Sequence, residues 1–159
     1  MKRFSIVSLL CLLAAPAFAA PTDDARAHSK AFERAANARD AKGLLALYAA
    51  DAHVVWPGQG EEASGRAEIE KLVASFLKQL PEDSKITLES QTAIPLAGGY
   101  IATVGRWRQS FTDPAGRPQT VQIRTTELIR KEKGKTLYVV DHASIGVPPE
   151  PETAAQPAH

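Results

Sequence analysis

The sequence predicts an α+β protein, with helices covering one face of a curved antiparallel sheet. Three observations carry that prediction. Ile69, Leu72, Val73, Phe76, Leu77 and Leu80 form an apolar stripe at helical spacing that stops at Pro81. After Pro81 the chain turns to four strand-like segments, 84–96, 99–112, 118–132 and 136–147, which read as an antiparallel meander. Ahead of the stripe lie two helical patterns and one short strand.

Taken in order, residues 1–19 read as a secretory signal and not as part of the fold. "MKRF" is basic, "SIVSLLCLLAA" is an apolar run, and Ala17 and Ala19 fit the small-x-small pattern of a cleavage site. The expected product is an exported, periplasmic or secreted chain beginning at Ala20. Its folded domain spans 20–147, and a Pro-rich tail at 148–159 carries little apolar content to order it. Cys11, the single cysteine, leaves with the signal, so no disulfide, thiol nucleophile or zinc thiolate is expected. Losing Lys2 and Arg3 turns 19 Lys+Arg against 18 Asp+Glu into an excess of one acid. That balance gives no electrostatic basis for binding nucleic acid or an anionic membrane. A mature chain of about 140 residues can build its own core without staples.

Thr22, Asp23 and Asp24 put a cap and two acids where a helix begins, and His28, Phe32, Ala35 and Ala36 share one stripe of that helix. Asp40 can cap a second helix with Leu44, Leu47 and Tyr48 on one face, although Gly43 weakens it by about 1 kcal/mol relative to Ala. "AHVVWPG" reads as a strand ended by Pro57-Gly58. Among the later segments, Gly98-Gly99 suits a tight hairpin, "TDPAGRP" a type I turn, and "KEKGK" a polar turn around Gly134.

This order of elements, with the stretches "ANARDAKGLLALYAADAHVVWPG", "GRAEIEKLVASF" and "RTTELIRKEKGKTLYVVDHASIG", resembles the nuclear transport factor 2-like superfamily, in particular its SnoaL-like and SgcJ/EcaC-type members. The resemblance runs from about residue 25 to 148. It implies a cone-shaped sheet wrapped around a long helix, an apolar pocket at the wide end, and homodimers formed through the outer sheet face. Members include ketosteroid isomerase, dehydratases, cyclases and kinase association domains, so the fold alone does not settle an activity.

The candidate site residues follow from the strands. Neighbours on a strand point to opposite faces, so Asp141 and His142 cannot both enter one pocket in regular geometry. Strict alternation groups Tyr138, Val140, His142 and Ser144, and the resemblance favours that face as the pocket side. His142 is then the candidate acid–base group, and Asp141 faces outward unless a bulge turns it in. Arg124 shares a face with Thr126 and Leu128; it either binds a ligand carboxylate, pairs with Asp141 or Glu127, or is solvated. Tyr48, Trp56, Phe76 and Trp107 supply apolar surface, three of them with a polar handle. In the enzymatic version Tyr48 or Arg124 steadies an oxyanion while His142 moves the proton. His53 is a weaker candidate.

No metal is expected, because His53, His142, Asp51 and Asp141 show no ligand spacing. No cofactor is expected either: the chain has no dinucleotide fingerprint, phosphate loop or nucleophile elbow. The expected function is therefore binding of a small uncharged or mildly anionic organic molecule. The alternatives are a cofactor-free isomerase, dehydratase or cyclase, and a dimeric module that holds a partner protein.

Overall fold

The computed structural model describes residues 21–57 and 61–146. The expected signal and tail lie outside them. The first helix, α1, runs Pro21–Asn37, and α2 is a single turn, Ala41–Leu45, whose Asp40 cap accepts the Gly43 N–H. The second helix is shorter than the Leu44, Leu47, Tyr48 pattern implied. Tyr48 instead opens strand β1, Tyr48–Val55, which pairs with the short β2, Glu62–Ser64. Helix α3, Arg66–Gln79, starts at Gly65, where φ is +75°, and the Glu68 carboxylate accepts the Ser64 N–H in its first turn.

The meander follows as β3, Lys85–Pro95, β4, Tyr100–Thr112, β5, Pro118–Glu132, and β6, Lys135–Ile145. Its three turns sit where the sequence places them. Gly98 and Gly99 both have positive φ, the Gly116 N–H bonds the Asp113 carbonyl, and Lys133-Gly134 both adopt positive φ at the β5–β6 hairpin.

The six strands form one curved, open, mixed sheet in the order β2-β1-β6-β5-β4-β3, antiparallel except for the β1–β6 pair. The fold is α+β, as the sequence predicts. Helices α1 and α3 lie on the concave face. Asn37 docks α1 by bonding both the carbonyl and the N–H of Ile86, and Glu33 accepts the Leu88 N–H. Among the described residues, no helix is long and apolar enough to cross a membrane.

Register decides what faces the helices. From β6 to β4 the concave rows are Tyr138–Ile129–Ile101, then Asp141–Glu127–Thr103, then Ala143–Thr125–Gly105, then Ile145–Ile123–Trp107. Along β6 strict alternation fails once. Ile129 pairs with Tyr138 but Leu128 pairs with Val140, so Val139 is an extra residue, a β-bulge. Tyr138 and Asp141 therefore both point inward although they are three residues apart.

Candidate functional site

Between α1, α3 and the concave sheet lies a cavity of about 220 Å³. Its walls are apolar and aromatic: Phe32 from α1, Leu72 and Phe76 from α3, Trp56 after β1, Trp107 from β4 and Ile123 from β5. The rings meet edge to face or tilted, with Trp56 and Phe76 centroids 4.8 Å apart and Phe32 5.7 Å from Trp107. Glycine is required at position 105, because a Cβ there would come within 2.6 Å of Thr125 Oγ1 and 3.0 Å of Trp107 Nε1. That absence lets the Trp107 indole lie back over the sheet and donate to Thr125.

Two carboxylates project into this apolar space. Asp141 and Glu127 stand directly opposite each other on adjacent strands, and each is only 4% exposed. Tyr48 Oη donates to Asp141 Oδ2 at 2.5 Å, and Trp56 Nε1 donates to the same oxygen at 2.8 Å. Both donors converge on Oδ2. Among the described residues no hydrogen bond is seen to Oδ1. Glu127 accepts from the hydroxyls of Thr103 and Thr125.

Burial dominates the electrostatics. It pushes Asp141 above the usual carboxylate range, against the opposing pull of the Tyr48 and Trp56 bonds. Burial, then the Asp141 charge, pushes Glu127 up to about 7, against its two threonine bonds. Two opposed carboxyls in low dielectric cannot both ionise cheaply, so the pair titrates as a unit. Burial and the Asp141 charge also raise Tyr48 well above its ordinary value, so it stays protonated and keeps donating.

Several sequence-predicted residues lie elsewhere. His142, Arg124 and Thr126 are exposed on the convex face, turned away from the cavity. Their expected pocket side is corrected by the Val139 bulge, which reverses the alternation counted from Tyr138. Arg124 consequently meets neither Asp141 nor Glu127, which face the other way. His53 is likewise exposed, its Nδ1 2.8 Å from Ser64 Oγ. Trp56, Phe76 and Trp107 line the cavity. Tyr48 is buried behind Asp141 and acts on it, not on the cavity. Among the described residues no cluster of three or more His, Cys, Asp or Glu could hold a metal ion.

The sequence allows Asp141 inward only through a bulge, which Val139 supplies, and it does not single out Glu127 as a site residue. A signal for Glu127 was present: Ile123, Thr125, Glu127 and Ile129 alternate with Gln122, Arg124, Thr126, Leu128 and Arg130, a set more polar except at Leu128. That contrast puts the glutamate on the apolar side of its strand.

Three solved structures resemble this fold closely. One, described as a putative calcium/calmodulin-dependent protein kinase II association domain from Xanthomonas campestris, is 23% identical with a TM-score of 0.70, covering 91% of this chain and 99% of its own. An uncharacterised protein with a cystatin-like fold from Caulobacter vibrioides is 25% identical with a TM-score of 0.66, covering 79% and 89%. A ketosteroid isomerase-like protein from Erwinia carotovora atroseptica is 19% identical with a TM-score of 0.65, covering 82% and 100%. No curated protein matches the chain. Residues 29–139, spanning α1 through the first part of β6, match the SnoaL-like domain, and the chain belongs to that family.

Proposed function

We propose that the chain binds a small organic molecule with an apolar body in the cavity and moves a proton on it with Asp141, without a cofactor, as an isomerase, dehydratase or cyclase does. The observation that carries this reading is the Asp141 carboxylate itself. It is buried in an apolar cavity and fixed through one oxygen by two donors, with no hydrogen bond seen to the other among the described residues. A carboxylate whose proton affinity burial raises, and which is rigidly aimed, is what general acid–base catalysis requires. Tyr48 and Trp56 are positioning residues. Glu127 sets how many protons the pair holds.

The test is hydrogen–deuterium exchange into a panel of small carbon acids in heavy water, followed by NMR. The unmodified protein accelerates exchange into at least one member, and Asp141→Asn lowers that rate by about 10²-fold or more. A variant that keeps the full rate contradicts the assignment to Asp141. No exchange with either protein leaves the cavity as a binding site alone.

Two further features belong to the same proposal. Export follows if residues 1–19 are removed, which the intact mass of protein recovered from outside the cytoplasm would read. A homodimer through the convex face is supported by Val104, 51% exposed, together with the exposed Val140 and Ile94 on that surface. Native mass spectrometry tests it.

A further inference from the structure

We infer that the cavity selects an organic cation: an ammonium group on an apolar body, seated between Asp141, Glu127 and the aromatic walls. The inference rests on the cavity being the binding site, as proposed above, and not on any reaction.

Charge is the first ground. The ionisable groups facing the cavity are Glu61, Glu127, Asp141 and Tyr138, with Tyr48 behind Asp141. Among the described lining residues there is no lysine, arginine or histidine. Arg124 and His142, the nearest candidates on the same strands, project from the opposite face. A buried carboxylate pair with no counter-ion is an incomplete ion pair. An anionic ligand would add a third like charge, so the expectation of a mildly anionic ligand gives way.

The second ground is the supply of hydrogen bonds. A neutral carbonyl or ether needs donors from the protein. The two indole N–H groups at the cavity are already committed, Trp56 to Asp141 and Trp107 to Thr125, and the Thr103 and Thr125 hydroxyls serve Glu127. Tyr138, Gln79 and Gln109 also line the cavity and can donate, but at the two carboxylates themselves the protein offers acceptors, and an ammonium brings the donors. The third ground is the wall. Trp56, Phe76, Phe32 and Trp107 surround the space with aromatic faces, and Phe32 and Trp56 centroids lie 6.0 Å apart. Aromatic faces attract a desolvated cation.

The binding has a consequence that a merely apolar pocket lacks. Without a cation the cavity holds two opposed acids whose ionised forms repel each other. An arriving ammonium offsets that repulsion and favours the ionised form of both acids, so proton is released to solvent. Glu127 then serves as counter-ion while Asp141 keeps its base character.

Calorimetric titration of the mature protein at pH 7 with benzylamine, benzyl alcohol and benzoate, in two buffers of different ionisation heat, tests this. The expected result is benzylamine binding at least tenfold tighter than benzyl alcohol, no detectable benzoate binding, and a buffer-dependent heat that reports proton release. Glu127→Gln should remove most of that release and narrow the preference for the amine over the alcohol. Benzyl alcohol binding as tightly as benzylamine, or benzoate binding at all, overturns the charge selection and leaves the cavity as a binding site. Failure of all three probes to bind overturns the cavity reading and the cation with it.

Discussion

Asp141 is held in a way that separates its two oxygens. Tyr48 and Trp56 both place their donors on Oδ2, but only Tyr48 lies behind the acid, so a change at Tyr48 should act on Asp141 without altering the cavity wall. Tyr48→Phe removes a bond to a buried carboxylate while keeping the ring that stacks beside Tyr138 at 5.2 Å. The expected cost is about 1–3 kcal/mol of stability, read by urea unfolding. Because the Tyr48 bond lowers the Asp141 pKa against burial, its loss should raise that pKa further. A Tyr48→Phe protein with unchanged stability and an unchanged Asp141 titration would remove the tyrosine from the site.

At the scale of elements, α3 forms one wall of the cavity and its end is tied down from a distance. The Arg39 guanidinium donates to the carbonyls of Leu77, Leu80 and Pro81 at 2.8, 3.2 and 2.5 Å. A cation on the last carbonyls of a helix satisfies groups that the helix itself cannot. Arg39→Ala is expected to cost about 1 kcal/mol and to speed amide exchange in the last turn of α3. Unchanged exchange there would show that packing alone holds the end.

The same scale explains what the sequence could reveal. The stripe from Ile69 to Leu80 and the Gly-centred turns specify α3 and all three hairpins locally, so they were legible. The inward face of β6 was not. Its phase depends on Val139 having no partner on β5, a fact of pairing between strands that no count along one strand contains. Trp56, Phe76 and Trp107 were found because large aromatic residues next to a turn or on an apolar stripe are wall residues whichever way a neighbouring strand is phased. Asp141 stayed undecided because its direction hangs on the bulge.

Over the whole molecule, buried ionisable groups oppose one another. Burial lowers His28 in α1 from 6.5 to about 4, so its contribution is present above pH 6.5 and is lost as pH falls toward 4. Glu127 moves the other way, from 4.5 to about 7; its contribution is full below pH 4.5 and is lost as pH rises through 7. Asp141, also raised, has the same sign as Glu127. Between pH 4.5 and 6.5 the His28 slope opposes those of the two acids, so stability falls with pH less steeply than the acids alone would make it. Glu127→Gln removes one side of the balance. That variant should gain on the order of 2 kcal/mol over the unmodified protein at pH 8, match it near pH 4.5, and rise steadily in between. A variant less stable at pH 8 would mean that Glu127 is not a strained buried acid. The most direct measurement is a carboxyl carbon-13 NMR titration of the ligand-free protein, with Asp141→Asn and Glu127→Gln used to assign the signals. Two coupled titrations above the ordinary carboxylate range, one of them near pH 7, are the predicted result. Two independent titrations near pH 4 would contradict a buried acid–base pair and the function built on it.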